Sequence, residues 1–237
     1  MPAYSLLEYR AAYDNQAWSG HAKLLVVRLR FTLWKLSQTP EDRDSTRPEF
    51  WSQRYATERT PWKMDRVPLR LPPFIRSLRS RSKILIPGCG QDHQPISAFH
   101  RAGHDVTAID FSPVALAATQ NALPELRDRI ILGDFFRHDF GDESFDVVYE
   151  RTFLCSLPPR LWNSYAERVA GLLKPDGVLA GFFFYGQSSD PPPFPLTESL
   201  AAEVLGRHFE LIASEPLIDS LPIFAGAEKW QEWKLRT

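Results

Sequence analysis

The chain has 237 residues, 43% hydrophobic and 13% aromatic, with 28 Lys plus Arg against 29 Asp plus Glu. That length and apolar content supply one core of α/β size plus a terminal extension, and the near-neutral balance leaves no electrostatic footprint for nucleic acid. Two cysteines, Cys89 and Cys155, rule out a disulfide framework and point to a reducing cytoplasm, while no apolar run reaches the length of a membrane span and the opening MPAYSLLEYRAAYDN lacks the layout of a secretion signal.

Residues 1–47 read as an N-terminal helical extension and linker, and residues 48–237 as the folded domain. Within the extension, residues 21–37, HAKLLVVRLRFTLWKLS, carry Lys23, Arg28, Arg30 and Lys35 and no acid. Two periods compete there. Val27, Leu29, Phe31 and Leu33 alternate as in a strand, while Leu25, Leu29, Leu33 and Leu36 fit one face of a helix. A helix packed on the domain is the favoured reading, with a segment lying on a membrane surface as the alternative. Residues 49–61, EFWSQRYATERTP, place Trp51 and Tyr55 on one helical face just before Trp62. These rings are either core or a lid over a ligand, where they exclude water and make cation–π contact. Pro68, Pro72 and Pro73 then precede a short helix around residues 74–78.

The next stretch, residues 83–110, KILIPGCGQDHQPISAFHRAGHDVTAID, reads as strand, turn, helix and strand. Gly88 and Gly90 allow backbone dihedrals and close approach that a Cβ forbids, so a ligand can sit on the turn by the helix N-terminus. Asp110, about 20 residues on and at the end of the second strand, is placed to accept hydrogen bonds from ribose hydroxyls. His93 occupies the position of the third glycine in the dinucleotide fingerprint. A looser helix packing suits a nucleoside ligand without phosphate, which favours S-adenosylmethionine (SAM) over NAD.

Beyond Asp110, Ser112 and Pro113 read as the cap and first turn of a helix through residue 122. Residues 129–132 form the third strand, ending at Asp134 and Phe135, an acid and an aromatic suited to an adenine amino group and its face. Residues 144–149 make the fourth strand, with Glu150 counted in the donor-binding set and Arg151 in the cleft. A helix over 161–173 stops at Lys174-Pro175-Asp176-Gly177, and residues 178–184 form a fifth strand. Tyr185 then opens the loop QSSDPPPFP over the crevice. Residues 196–206 form a last helix, and 209–214 and 229–236 close the sheet as two antiparallel strands. The histidines lack metal-ligand spacing, so no metal is expected.

The set FW-x-x-R-Y…TPW, IPGCG, AIDFS, GDFF, ER-x-x-x-C, LLKPDG, PPF and EKWQEWK resembles the thiopurine S-methyltransferase superfamily. It looks closer to the branch holding plant and fungal thiol and halide methyltransferases and their bacterial relatives. The resemblance runs from about residue 49 to the end. It implies an α/β, Rossmann-like class I SAM-dependent methyltransferase fold, with a seven-stranded, mostly parallel sheet and helices on both faces. The cofactor implied is SAM, with S-adenosylhomocysteine as product, and the enzyme is expected to be a cytoplasmic monomer acting on a small molecule. Trp51, Tyr55 and Trp62 match the aromatics that fold over the donor. Gly88 and Gly90 match its binding turn, Asp110 the ribose acid, and Asp134 with Phe135 the adenine surround. Arg151 matches an acceptor-side arginine and Pro193-Phe194 the active-site loop. Asp190-Pro191-Pro192-Pro193 departs from the family's Gly-Pro-Pro, as Gln91-Asp92-His93 does from its turn exit.

The chemistry implied is in-line methyl transfer, which needs alignment and dryness more than acid–base groups. A thiol or hydrosulfide is the expected acceptor because it is partly ionised and intrinsically nucleophilic. A halide, selenium, tellurium, O- or N-acceptor is the second reading; an inactive donor-binding or membrane-tethered module is the third. Arg151 and Tyr185 are the catalytic candidates, Arg151 lowering a thiol pKa or holding an anion and Tyr185 orienting the nucleophile. The competing role for Arg151 is an ion pair with an acid such as Glu150.

Overall fold

Strands β1 (Lys83–Pro87), β2 (Asp105–Asp110), β3 (Ile130–Leu132), β4 (Phe145–Arg151), β5 (Leu173–Phe184), β6 (Phe209–Pro216) and β7 (Glu228–Leu235) build a single sheet in the order β3-β2-β1-β4-β5-β7-β6. The first five run parallel; β7 runs antiparallel to both β5 and β6. The structure, a computed structural model, describes residues 44–142 and 144–236, so the basic stretch 21–37 lies outside the described residues. Asp44–Thr237 forms one compact unit.

Apolar side chains on both faces of each central strand dictate a layer of helices above and below. Ile84, Ile86, Val147, Tyr149 and Phe182 point to one face, and Leu85, Val148 and Phe183 to the other. The first face is covered by α2 (Leu71–Ser77), α3 (His93–Arg101) and α4 (Pro113–Ala122), which follow α1 (Pro48–Ala56) in the chain. The second is covered by α5 (Trp162–Leu172) and α6 (Glu198–Val204).

Three boundaries differ notably from the sequence reading. α2 begins at Leu71, so Pro72 and Pro73 lie in its first turn and not before it. The Lys-Pro-Asp-Gly segment does not precede β5 but bulges within it: pairing jumps from Phe145↔Leu173 to Val147↔Val178, with Asp176 at φ +63°. That extra length lets α5 pass into the strand without a separate turn. The last helix starts at Glu198 because the Thr197 hydroxyl caps it, accepting from Leu200 N–H at 3.1 Å.

Trp230 and Trp233 of the closing motif fall on opposite faces of β7, as a spacing of three requires in a strand. Trp230 is fully buried, edge-on to Phe74 at 5.1 Å and Phe182 at 5.2 Å, and so pins α2 to the sheet. Its truncation leaves a cavity that neighbouring rings cannot fill. Trp230→Ala should cost about 3–5 kcal/mol, read as a lower urea midpoint at unchanged m-value.

Candidate donor and acceptor site

Strand order reverses between β1 and β4, and an open α/β sheet holds its ligand at the carboxyl ends of the strands flanking such a point. A cavity of about 350 Å³ lies there, its walls including Gly88, Asp110, Thr152 and Phe153. The turn after β1 fits the space only as glycine. Gly88 and Gly90 stand at φ +58° and +56°, and a Cβ on either would collide with Phe153 or with the Tyr55 hydroxyl.

Asp110 locks this turn. One carboxylate oxygen accepts from Gly90 N–H and the other from Ser112 N–H, each at 2.8 Å. Burial pushes its carboxyl up to about 6, against the pull of the Ser112 and Gly90 amides. Ser112 in turn caps α4, accepting from Ala115 N–H at 3.3 Å, and its hydroxyl lies 2.9 Å from that of Ser52 on α1. The first helix is thereby fastened to the ligand-binding end of the sheet.

That helix brings in the roof. Trp51, Tyr55 and Trp62 all line the cavity, with Trp62 edge-on to Trp51 at 5.5 Å and to Tyr55 at 6.2 Å. Tyr55 is buried while the two indoles are half-buried, so the rings serve as core and as cover together. On the β3 side, Asp134 accepts from Phe136 N–H at 2.9 Å and pairs with Arg137 at 3.6 Å. Phe135 lies beside it, edge-on to Phe153 at 5.5 Å. The far wall is apolar, made by Cys155, Leu157, Pro192, Pro193, Ile223 and Phe224; Phe194, expected with them, instead packs against the core. Two cations line this cavity, the exposed Arg137 and the half-buried Arg54, which stacks on Phe50 with its guanidinium carbon 3.3 Å from the ring centroid. Burial lowers the pKa of Arg54 to about 10.

A recess of about 30 Å³ extends the cavity beneath the glycine turn, sharing Tyr55, Trp62, Gly88 and Thr152 with it. Arg151 lines this recess, buried, with Nη1 donating to Glu228 Oε1 at 2.7 Å. Its ion-pair partner is therefore Glu228, not Glu150, and it stands at the recess and not on the apolar wall. Arg151 Nε and Nη2, Asp92 Oδ1 and the Tyr149 hydroxyl are buried with no hydrogen-bond partner among the described residues. All four belong to residues lining the recess, and groups so buried cost free energy until something pairs with them. Burial pushes the Asp92 carboxyl up to about 6.

Two expected site residues stand elsewhere. Glu150 is buried within the core: Oε1 accepts from the N–H groups of Phe153 and Leu154 at 2.7 and 2.9 Å, and Oε2 from the Tyr165 hydroxyl at 2.6 Å. It caps the turn after β4, with no oxygen left facing a ligand. Tyr185 lines neither cavity; its hydroxyl donates to Gln231 Oε1 at 2.9 Å and Lys229 sits 4.8 Å from its ring. Strand-end position attracted both assignments, but β4 and β5 turn these two side chains away from the crevice. Asp92, Thr152, Phe153, Arg54 and Glu228 were passed over. Arg54 and Glu228 stand in quoted motifs, FW-x-x-R-Y and EKWQEWK, Thr152 and Phe153 fill the open positions of ER-x-x-x-C, and Asp92 sits in the turn exit, but none was given a role of its own. Thr152, at φ +62° between the two cavities, adopts a backbone conformation that no sequence signal announces for a β-branched residue.

Solved structures confirm the architecture. The chain is similar to the 1,6-didemethyltoxoflavin-N1-methyltransferase of Burkholderia thailandensis, crystallised with 1,6-didemethyltoxoflavin and S-adenosylhomocysteine, at a TM-score of 0.60 and 18% identity over 94% of this chain and 93% of that one. It is also similar to a TehB-like SAM-dependent methyltransferase from Corynebacterium glutamicum, with a TM-score of 0.57 and 19% identity over 82% and 100%. The fold is that of the class I SAM-dependent methyltransferases. In sequence, residues 46–234 match the thiopurine S-methyltransferase family model. Thiocyanate methyltransferase 1 of Arabidopsis thaliana is 28% identical over 78% of this chain and 83% of its own length, and the thiopurine S-methyltransferase of Vibrio cholerae 31% identical over 64% and 78%. The chain belongs to the thiopurine S-methyltransferase family and is a SAM-dependent methyltransferase.

Burial raises the Glu150 carboxyl to about 7, against the opposing hydrogen bonds from Tyr165, Leu154 and Phe153. A carboxyl whose folded pKa exceeds its unfolded value takes up a proton on folding, so its contribution to stability is fullest at low pH and declines as pH rises to the folded pKa. Asp92 and Asp110 act in the same direction up to about 6. The melting temperature should therefore fall as pH rises from about 4 to about 7, and Glu150→Gln should flatten the upper part of that decline.

Proposed function

We propose that the cavity holds SAM with its adenosine against Asp110, Asp134 and Phe135 and its amino-acid end in the recess, and that the enzyme methylates a small sulfur nucleophile at the apolar wall. The observation that carries this is the unpartnered edge of Arg151. Nε–H and Nη2–H point the same way from one side of a guanidinium, the fork that matches a carboxylate bidentately. With Asp92 Oδ1 bare in the same recess, a buried cation and a buried anion await the carboxylate and ammonium of an α-amino acid. The recess is of carboxylate size, and the Cβ-free turn beside it leaves backbone within reach of a ligand. The residues present thus fit the donor.

When bound, SAM supplies a methyl group made electrophilic by its sulfonium. Asp110 accepts from the ribose hydroxyls through lone pairs that Gly90 and Ser112 leave open. Trp51, Tyr55 and Trp62 exclude water and turn aromatic faces toward a cationic ligand. The apolar wall presents no acid–base pair to the acceptor, which suits a sulfur nucleophile that is already ionised. Its lone pair forms the new S–C bond, the C–S bond of the sulfonium breaks, and that electron pair stays on the donor sulfur; the thiol proton has gone to solvent beforehand. Arg54 supplies the countercharge for an acceptor that arrives as an anion. Cys89 and Cys155 are both free and buried, which supports a cytoplasmic setting.

Two measurements test this reading. Mass spectrometry of methylated products across hydrosulfide, thiocyanate, small thiols, aromatic thiols and iodide should show sulfur acceptors turned over fastest; product from iodide alone would replace sulfur with a halide, and none from any acceptor would remove the reading. By calorimetry, Asp110→Ala should weaken SAM binding roughly 10–100-fold, since it strands ribose hydroxyls in a closed site.

A further inference from the structure

Glu228 has no place in the chemistry so far, yet it is among the most buried charged side chains of the described residues, 2% exposed. It is the first residue of β7, across the sheet from β4, and its carboxylate reaches the arginine that faces the recess. Oε1 accepts from Arg151 Nη1 at 2.7 Å, and Oε2 accepts from the Ser220 hydroxyl at 2.7 Å. Each oxygen thus has a fixed partner. The guanidinium also lies near two rings, its central carbon 4.9 Å from the Phe182 centroid and 5.9 Å from that of Phe224.

Arg151 has rotatable bonds enough to turn its planar head in several ways; with Nη1 held, Nε and Nη2 form the edge left without a partner in a residue that lines the recess. A single anchored contact on Nη1 selects it. The charge of Glu228 matters less to this than its reach, because the recess already receives the positive charge of Arg151 wherever the head turns.

We propose that Glu228 is a positioning residue for the methyl donor: by holding Arg151 Nη1 it aims the Nε–Nη2 edge at the donor's carboxylate, and so sets how strongly the enzyme distinguishes ligands that carry the amino-acid end from those that lack it. This rests on the placement of that end in the recess.

The test compares binding of S-adenosylhomocysteine, which has the amino-acid end, with 5′-methylthioadenosine, which lacks it, by calorimetry on the whole chain. The ratio of the two affinities is the readout, and it needs no turnover. Glu228→Asp keeps the charge but shortens the reach, and should lower the ratio about tenfold while leaving methylthioadenosine binding within about threefold of the unaltered protein. Glu228→Gln keeps the reach and an acceptor oxygen, and should hold the ratio within about threefold. Arg151→Gln in the same assay separates the role of Glu228 from the placement of the amino-acid end. If Arg151→Gln lowers the ratio and Glu228→Asp does not, the positioning role is wrong and the recess assignment stands. If neither lowers it, both are wrong. Should Glu228→Asp weaken both ligands alike, Glu228 is a structural ion pair and the proposal is overturned; should Glu228→Gln fail to fold, Glu228→Asp decides alone.

Discussion

The site depends on how one carboxylate is held. Asp110 ends β2 and spends one hydrogen bond on each oxygen to join the turn after β1 to the start of α4. Without it, Gly90 and Ser112 would carry buried amides with no acceptor, and the left-handed turn would lose what selects it from the many conformations open to glycine. Because Ser112 also meets Ser52, the constraint passes on to α1 and to the aromatic roof. The segments at Ser52, Gly90 and Ser112 are therefore positioned by a group that also lines the cavity. This is why a residue on a strand end can serve both the fold and the ligand.

The buried polar groups are distributed unequally. Glu150 has three donors around it and is a closed account, whereas Arg151, Asp92 and Tyr149 keep atoms bare. A protein folds most stably when such atoms are paired, and a cluster of bare ones in a single recess is what the proposed donor placement accounts for. Raised carboxyl pKa values alone do not separate the two cases, since Glu150 and Asp92 are both pushed upward by burial. Hydrogen bonding does differ between them: Glu150 is paired on both oxygens, whereas Asp92 Oδ1 has no partner among the described residues and its residue lines the recess.

The same distinction explains what was legible beforehand. Strand identity followed from continuous apolar runs such as residues 178–184, and the turn with its acid followed from local spacing, since glycine, strand end and Asp110 are related through one strand–turn–helix unit. The helix cap at Ser112 was equally local. Side-chain direction at a strand end was not. Glu150 and Arg151 are adjacent and so point to opposite faces, and nothing in the sequence says which face carries the recess. The pairing of Arg151 with Glu228 spans 77 positions and requires β7 to fold back beside β5, a register that composition cannot supply. The bulge at residues 174–177 hid for the opposite reason: Pro and Gly look like a stop, yet sheet pairing on both sides overrides them.

Methyl transfer from a sulfonium to an anion destroys two charges, so the transition state is less polar than the reactants and water stabilises the reactants more. With the acceptor at the wall of Cys155, Leu157, two prolines, Ile223 and Phe224, as proposed, apolar side chains replace that solvation where the charges vanish. It would be a poor place to bind either ion unaided. In the proposed placement the polar contacts sit away from the reacting centre, at Asp110, Asp134 and Arg151, against parts of the donor whose charge does not change during transfer. Binding energy taken at those ends orients the methyl group, and the apolar middle is left free to favour its departure.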